Sequence, residues 1–448
     1  MRPAAFFAAA IGVAALAFAV ASLIGNDYVF FAGYTVVQFI VLATAWNILG
    51  GYCGYVNFGT AAFFALGAYT TVFFHKAYPL PIPLLLVFAA AVSGLVGLCA
   101  GYLTLRLRGA FFSIATLALA VVLQTFVVNW DYVGGSRGAY VIHPDSIGVF
   151  GFELGYIRYL CLIMLLLAAV AVAIARIIER AKLGYGFAAI RDDELAAEAS
   201  GVPTLKLKLI AATLSGALMG MAGAPFPYYT GYVEPTSTFG LAYAVNAIAM
   251  PLIGGTNVWF GPVIGALLIG TLMQIATVTI SSAVNLLLVG ALLVGFVILA
   301  PNGVVGLIQE FLRIASRART DARSIGLVAL ATFAFIAGVL EIVFGLAALT
   351  SPDPAGLTIA TAGLALAALW IISAYGLMTM QRWSPFVATV AFALSIPIGA
   401  VHIWPDRTAP NIGLWGGDIA IAIVAILFLQ RRDVQRLYQG FLAKEALA

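Results

Sequence analysis

Residues Leu160 to Ala175 read LCLIMLLLAAVAVAIA, an unbroken apolar run without a charge, a glycine or a proline. Polar and apolar residues do not alternate in it, so it is no strand of a membrane barrel, whose two faces require that alternation. With its flanks it extends from residue 156 to 177, which reaches the roughly 20 residues that cross a hydrocarbon core of ~30 Å. Lipid offers no partner to a backbone amide, so a run of this length must close its hydrogen bonds within itself, as a helix.

The same pattern recurs along the chain. Working outward gives ten candidate spans, at about 5–24, 29–49, 56–74, 84–104, 110–129, 156–177, 205–228, 241–255, 260–280 and 284–300, and four more at about 325–350, 355–376, 384–403 and 412–429. The run at 241–255 is short and ends in Gly254-Gly255, which suggests a partial or broken helix. The N-terminal run is too long for the apolar region of a signal peptide and has a poor cleavage site at Ser22-Leu23-Ile24, so it is read as the first span. Composition agrees: of 448 residues, 63% are hydrophobic and 9% charged, with mean hydropathy +1.07, against roughly a quarter charged in a soluble chain. The expected fold is therefore an all-α polytopic transmembrane bundle. It comprises a ten-span domain (1–310), a basic linker (311–324), four accessory spans (325–430) and a tail (431–448).

Charge tests this map. With the N-terminus inside, 18 of the 22 Lys and Arg fall in segments assigned to the cytoplasm, and only Lys76, Arg137, Arg158 and Arg407 fall outside. That asymmetry is what the positive-inside rule requires of a correct span count, and it places both termini in the cytoplasm. The net charge of +4 marks that face and needs no nucleic-acid partner.

The inner loop before the seventh span carries an amphipathic element. Asp192 or Asp193 can cap a helix there, Glu194 fills its first turn, Gly201 can end it and Pro203 forbids continuation. Leu195, Ala199 and Val202 share one face, with Arg191, Glu194 and Glu198 as polar contacts around it. Such a helix suits docking in a groove of another protein; acids on it speak against lying flat on anionic lipid. Glycines form a second signal. Gly50, Gly51 and Gly54, followed by Asn57, and the pair Gly254 and Gly255 mark helix breaks near a pathway, while Gly97-x-x-x-Gly101, Gly216-x-x-x-Gly220 and Gly261-x-x-x-Gly265 suit close helix packing.

Several chemistries lack their residues. The three cysteines and three histidines are scattered without metal-ligand spacing, and no G-x-x-x-x-G-K-[ST] occurs. No metal, cofactor or catalytic residue is expected on this chain. No Asp, Glu or Lys is placed deep in the first ten spans, where an ion-coupled transporter carries its coupling groups; Glu341, in the C-terminal region, is the one acid well inside a span.

Ordered motifs then carry a resemblance. Trp46 to Tyr69 contains Asn47-Ile48-Leu49-Gly50-Gly51-Tyr52-Cys53-Gly54, with Asn57 where Ser is usual; Leu107-Arg108-Gly109-Ala110-Phe111-Phe112 follows, then Val133 to Gly138, then the inner loop to Gly201, then Pro301 to Leu307. Residues from about 35 to 310 thus resemble the permeases of branched-chain amino acid ABC importers, of the LivM type. Gly254 to Pro262 departs from the pattern by lacking its third glycine and its threonine. The resemblance implies a bacterial cytoplasmic-membrane importer subunit working with two ABC ATPases that bind the ATP, a second LivH-type permease and an extracytoplasmic solute-binding protein. It also implies that the inner loop is the coupling segment. Related permeases that carry urea or short amides, and an ion-coupled secondary transporter, are the alternatives.

Overall fold

The computed structural model describes residues 3–24, 26–78, 80–107, 109–142, 146–149, 152–279, 303–306, 354–378, 381–403 and 421–431, with single positions between 290 and 341 and Val434. The chain divides into two compact units, residues 1–275 with 285–307, and residues 276–284 with 308–448.

In the first unit the helices are α1 (Pro3–Ile24), α2 (Asp27–Leu49), α3 (Thr60–Ala77), α4 (Ile82–Thr104), α5 (Ala110–Val128), α6 (Tyr156–Arg180), α7 (Lys182–Asp192), α8 (Glu194–Ala199), α9 (Thr204–Gly223), α10 (Phe226–Thr230), α11 (Pro235–Thr238), α12 (Leu241–Gly254) and α13 (Gly261–Thr279). Among the described residues seven helices are long and apolar enough to cross a membrane: Ala5–Leu23, Asp27–Leu49, Ile82–Thr104, Ala110–Val128, Tyr156–Arg180, Thr204–Thr230 and Pro235–Gly254. The run at 56–74 starts later than expected, at Thr60, because the residues before it form an irregular turn. The expected span at 241–255 falls within the last of these seven, where α12 follows α11. The 14 residues of α12 rise only about 21 Å at ~1.5 Å each. The span at 284–300 and the linker at 311–324 lie outside the described residues, apart from Gly290.

Helix α9 is the hub, and its composition explains why. Ala211, Ala212, Ser215, Gly216, Gly220 and Gly223 are buried on it. A Cβ on Gly220 would collide with Ser93 of α4, one on Gly223 with the Phe64 carbonyl of α3, and one on Gly67 of α3 with the Gly220 carbonyl; Gly97 and Gly101 meet Ala212 in the same way. Backbones at that separation gain dispersion contacts that larger side chains would prevent. Helix α2, buried from Val36 to Leu49, lies inside the bundle, with Gln38, Thr44 and Asn47 buried among its apolar residues. By contrast α5 exposes Phe111, Ile114, Val121, Val122 and Phe126, a surface suited to lipid.

The all-helical expectation needs one addition. Two short ribbons form in the connections: β1 (Ala139–Tyr140) pairs antiparallel with β4 (Tyr232–Val233), and β2 (Ser146–Val149) with β3 (Phe152–Gly155). In the second unit the helices Pro354–Met378 and Ser384–Ile403 coincide with two of the four expected spans. Trp370 and Phe392 meet edge-on at 4.7 Å in a core with Leu366, Leu377 and Ala388.

Contacts between connections fall into two sets. Lys76 Nζ donates to the Tyr132 carbonyl (3.0 Å), Arg158 pairs with Asp27 (2.8 Å), and Tyr232 donates to the Arg137 carbonyl (2.7 Å). In the other set the Trp259 amide donates to Glu179 (2.6 Å), Arg191 to Asn257 (2.8 Å) and Lys208 to the Leu105 carbonyl (2.9 Å). Lys76, Arg137 and Arg158 take part in the first set, and Arg191 and Lys208 in the second. Single cysteines at Ser136 and Ser200, both exposed, in a variant lacking Cys53, Cys99 and Cys161 should react with an impermeant maleimide from opposite sides, Ser136 from outside intact cells. Reaction of both from one side would overturn the map.

Candidate functional site

Two interruptions in the helices approach each other at one end of the first unit. At the first, the Gly50 amide closes α2 on the Trp46 carbonyl (2.8 Å). The chain then runs irregularly to Thr60. Away from water each freed backbone group needs a partner, and side chains supply them. Trp46 Nε1 donates to the Asn57 carbonyl (2.9 Å), Ser113 Oγ donates to that of Val56 (2.8 Å), and Thr116 Oγ1 accepts from the Phe58 amide (3.1 Å). Asn57 itself, buried, accepts from the Gly59 amide through Oδ1 (2.7 Å), so its side chain shapes the turn.

At the second interruption Gly255 takes φ +123°, which a side chain would strain, and a Cβ on Gly254 would collide with the Gly261 carbonyl. Gly303 packs on Gly255 closely enough that a Cβ would meet its amide. Asn47 Nδ2 donates to the Thr256 carbonyl (3.0 Å), which ties this break to the first. Gly54 adopts φ +80°, where a Cβ would press on Arg191, and Arg191 reaches Asn257 as above. The interruptions and the inner loop therefore form one connected structure.

The inner loop is two helices where one from Asp192 to Val202 was expected. Helix α7 runs from Lys182 to Asp192 with Phe187 and Ile190 buried; the chain then kinks at Asp193, extended at φ −159°, and α8 begins. Asp193 is the cap, accepting from the amides of Leu195 (2.9 Å) and Ala196 (3.1 Å). Beyond α8, Gly201 turns with φ +85°. Leu195 is 62% exposed and Tyr185 of α7 74%, and Ala199 is exposed too, while Val202 is half-buried. Asp192 pairs on the surface with Arg191 (3.2 Å). Glu198 is exposed and accepts from Thr204 Oγ1 (3.3 Å).

Glu194 corrects the sequence reading. Expected at the rim of a docking stripe, it turns inward to Lys208, a cation that its position alone had assigned to the loop. Their side chains are 13% and 5% exposed, with Nζ 2.7 Å from Oε1. Lys208 also donates to the Leu105 carbonyl and to the Tyr55 hydroxyl (3.1 Å), and Tyr55 in turn donates to the other Glu194 oxygen. All three hydrogens of the ammonium are thus used. Lys208 had one sequence signal, its setting among Leu205, Leu207, Leu209 and Ile210; its partner had none. A pocket of about 440 Å³ opens beside the pair, lined by Cys53, Tyr55, Gly109, Ser113 and Arg191. Burial pushes the Cys53 thiol up to about 12, with Lys208 opposing and Glu194 reinforcing, so it is a thiol at neutral pH. Deeper in, the Oγ1 of Thr44 and the Oδ1 of Asn246 are buried oxygens with no hydrogen-bond partner among the described residues; sequence reading had passed over both. Among the described residues no group of three His, Cys, Asp or Glu comes together to hold a metal.

A family model described as branched-chain amino acid transport system, permease component, matches residues 28–297. The chain is 27% identical over 302 residues to the high-affinity branched-chain amino acid transport system permease protein LivM of Salmonella typhimurium, covering 62% of this chain and 70% of that protein. It is 25% identical over 268 residues to the probable branched-chain amino acid transport permease protein LivH of Methanocaldococcus jannaschii, 56% of this chain and 82% of that one. To the ribose import permease protein RbsC of Escherichia coli K12 it is 28% identical over 192 residues, 41% of this chain and 58% of the relative. No solved structure matches.

The two acids of α8 should therefore behave differently. Glu194→Ala leaves a buried ammonium without its counter-charge and should destabilise the fold by about 3–5 kcal/mol. Glu198→Ala removes an exposed contact and should change stability by less than about 1 kcal/mol. Thermal unfolding in detergent checks the order, and equal losses would refute it.

Proposed function

Because the chain belongs to the family of branched-chain amino acid transport system permease components, we propose that it is the membrane-spanning permease of an ATP-driven importer of branched-chain amino acids. Two ATPase subunits, a LivH-type second permease and an extracytoplasmic solute-binding protein complete the machine in the bacterial cytoplasmic membrane. The chain itself moves solute by alternating access and performs no bond chemistry. The observation that carries this reading is the pair α7–α8. It offers exposed Tyr185, Leu195 and Ala199 on a framework joined to two helix interruptions, which is the arrangement by which force from another subunit can reach a pathway. The similarity to ribose permeases indicates a scaffold that serves more than one small polar solute. Leucine, isoleucine and valine are proposed here on the family description and the LivM relatives.

Two outcomes test the reading. Ala199→Arg places a charge in the docking stripe, where desolvation without a partner costs several kcal/mol; ATPase co-purification and uptake should both be lost while the permease still inserts. Wild-type association and uptake in that variant would remove α8 as the docking element. In proteoliposomes holding the whole importer, labelled leucine uptake should require ATP and persist when proton and sodium gradients are collapsed. Gradient-driven uptake by this chain alone would establish a secondary transporter instead.

A further inference from the structure

Helix α8 has six residues and buries only Ala197 among them. Apolar packing so small cannot carry a displacement of α8 into the bundle. Contacts leaving α8 and its cap are few. Among the described residues Glu198 meets Thr204, six residues on. Arg191, at the end of α7, reaches Asn257 beyond the second interruption. Glu194 reaches deeply, to the buried ammonium of Lys208 on α9 and the hydroxyl of Tyr55 in the first interruption.

That ammonium is also fixed to the Leu105 carbonyl at the end of α4. Four segments therefore meet at one atom: α8, α9, the 50–59 turn and the end of α4. Stability does not account for charges here, since a well-packed apolar pair of similar volume would serve as well or better. What a buried pair with a fully bonded ammonium adds is a fixed geometry of α8 and the 50–59 turn relative to the packed α4 and α9.

We propose that the Glu194–Lys208–Tyr55 cluster transmits displacement of α8 to the helix interruptions, with Lys208 as a positioning residue of the transport cycle. The proposal rests on the importer reading above. Movement of Glu194 shifts Lys208 and Tyr55 together, and the Asn47–Thr256 bond carries the change on to the Gly254-Gly255 break.

The test uses the complete importer in liposomes and measures ATP hydrolysis and leucine uptake together. The double variant Lys208→Met with Glu194→Leu removes both charges and leaves no lone one buried; Tyr55→Phe keeps the ion pair and removes the hydroxyl. ATPase subunits should co-purify with both, and hydrolysis should stay within about two-fold of wild type. Solute moved per ATP should fall roughly ten-fold in the double variant and about three-fold in Tyr55→Phe, effects in the range that coupling mutations give. A double variant that assembles and keeps the wild-type ratio overturns the proposal. If it does not assemble, Tyr55→Phe decides: a lowered ratio supports the cluster as transmitter, and an unchanged one overturns it. Failure of the wild-type chain to bind the ATPase would sink the importer reading itself, a separate result.

Discussion

Away from water, a backbone amide or carbonyl must find its partner within the protein. That constraint makes the long apolar runs helices, and it also decides what happens where a helix stops. Between Leu49 and Thr60 the chain leaves the helical pattern, and the indole of Trp46 and the hydroxyls of Ser113 and Thr116 take up backbone groups. Around Gly255 neighbouring backbone approaches so closely that only glycine fits, and Asn47 reaches the Thr256 carbonyl. Each interruption is thus a built structure with defined partners, and the two share Asn47 and Arg191 as neighbours.

Close approach supplies the second half of the design. With lipid outside, helices gain little from burying apolar surface against one another, so contact area and backbone proximity must hold them. The small residues of α9 let α3 and α4 pack on it nearly backbone to backbone. Whatever is attached to the N-terminal end of this hub is joined through it to α3 and α4. Lys208 is at that end.

Magnitudes separate the polar contacts around α8. An exposed pair such as Arg191 with Asp192 is worth about 1 kcal/mol or less, whereas loss of one partner from a buried pair costs about 3–5 kcal/mol. The exposed stripe of Tyr185, Leu195 and Ala199 and the buried pair below it therefore divide the work. The stripe leaves its side chains open to the surroundings, and the pair holds Glu194 of α8 against α9.

Much of this was legible in the chain. Long apolar runs, loop charge and the capping pattern of Asp193 and Gly201 are local: hydropathy is summed over neighbouring residues, and a cap reaches only two or three positions ahead. They point to the long apolar helices and to a capped helix at α8, though not to the kink at Asp193 or the full extent of α7. Other features depended on partners far along the sequence. Lys208 looked like a loop cation, Glu194 like a rim acid and Asn57 like a pathway residue. The ammonium meets a carboxylate 14 residues away and a hydroxyl 153 residues away, and no periodicity links such positions. Which charge is buried is settled only when helices pack, because desolvation depends on what surrounds a side chain in space, and sequence orders only what precedes and follows it.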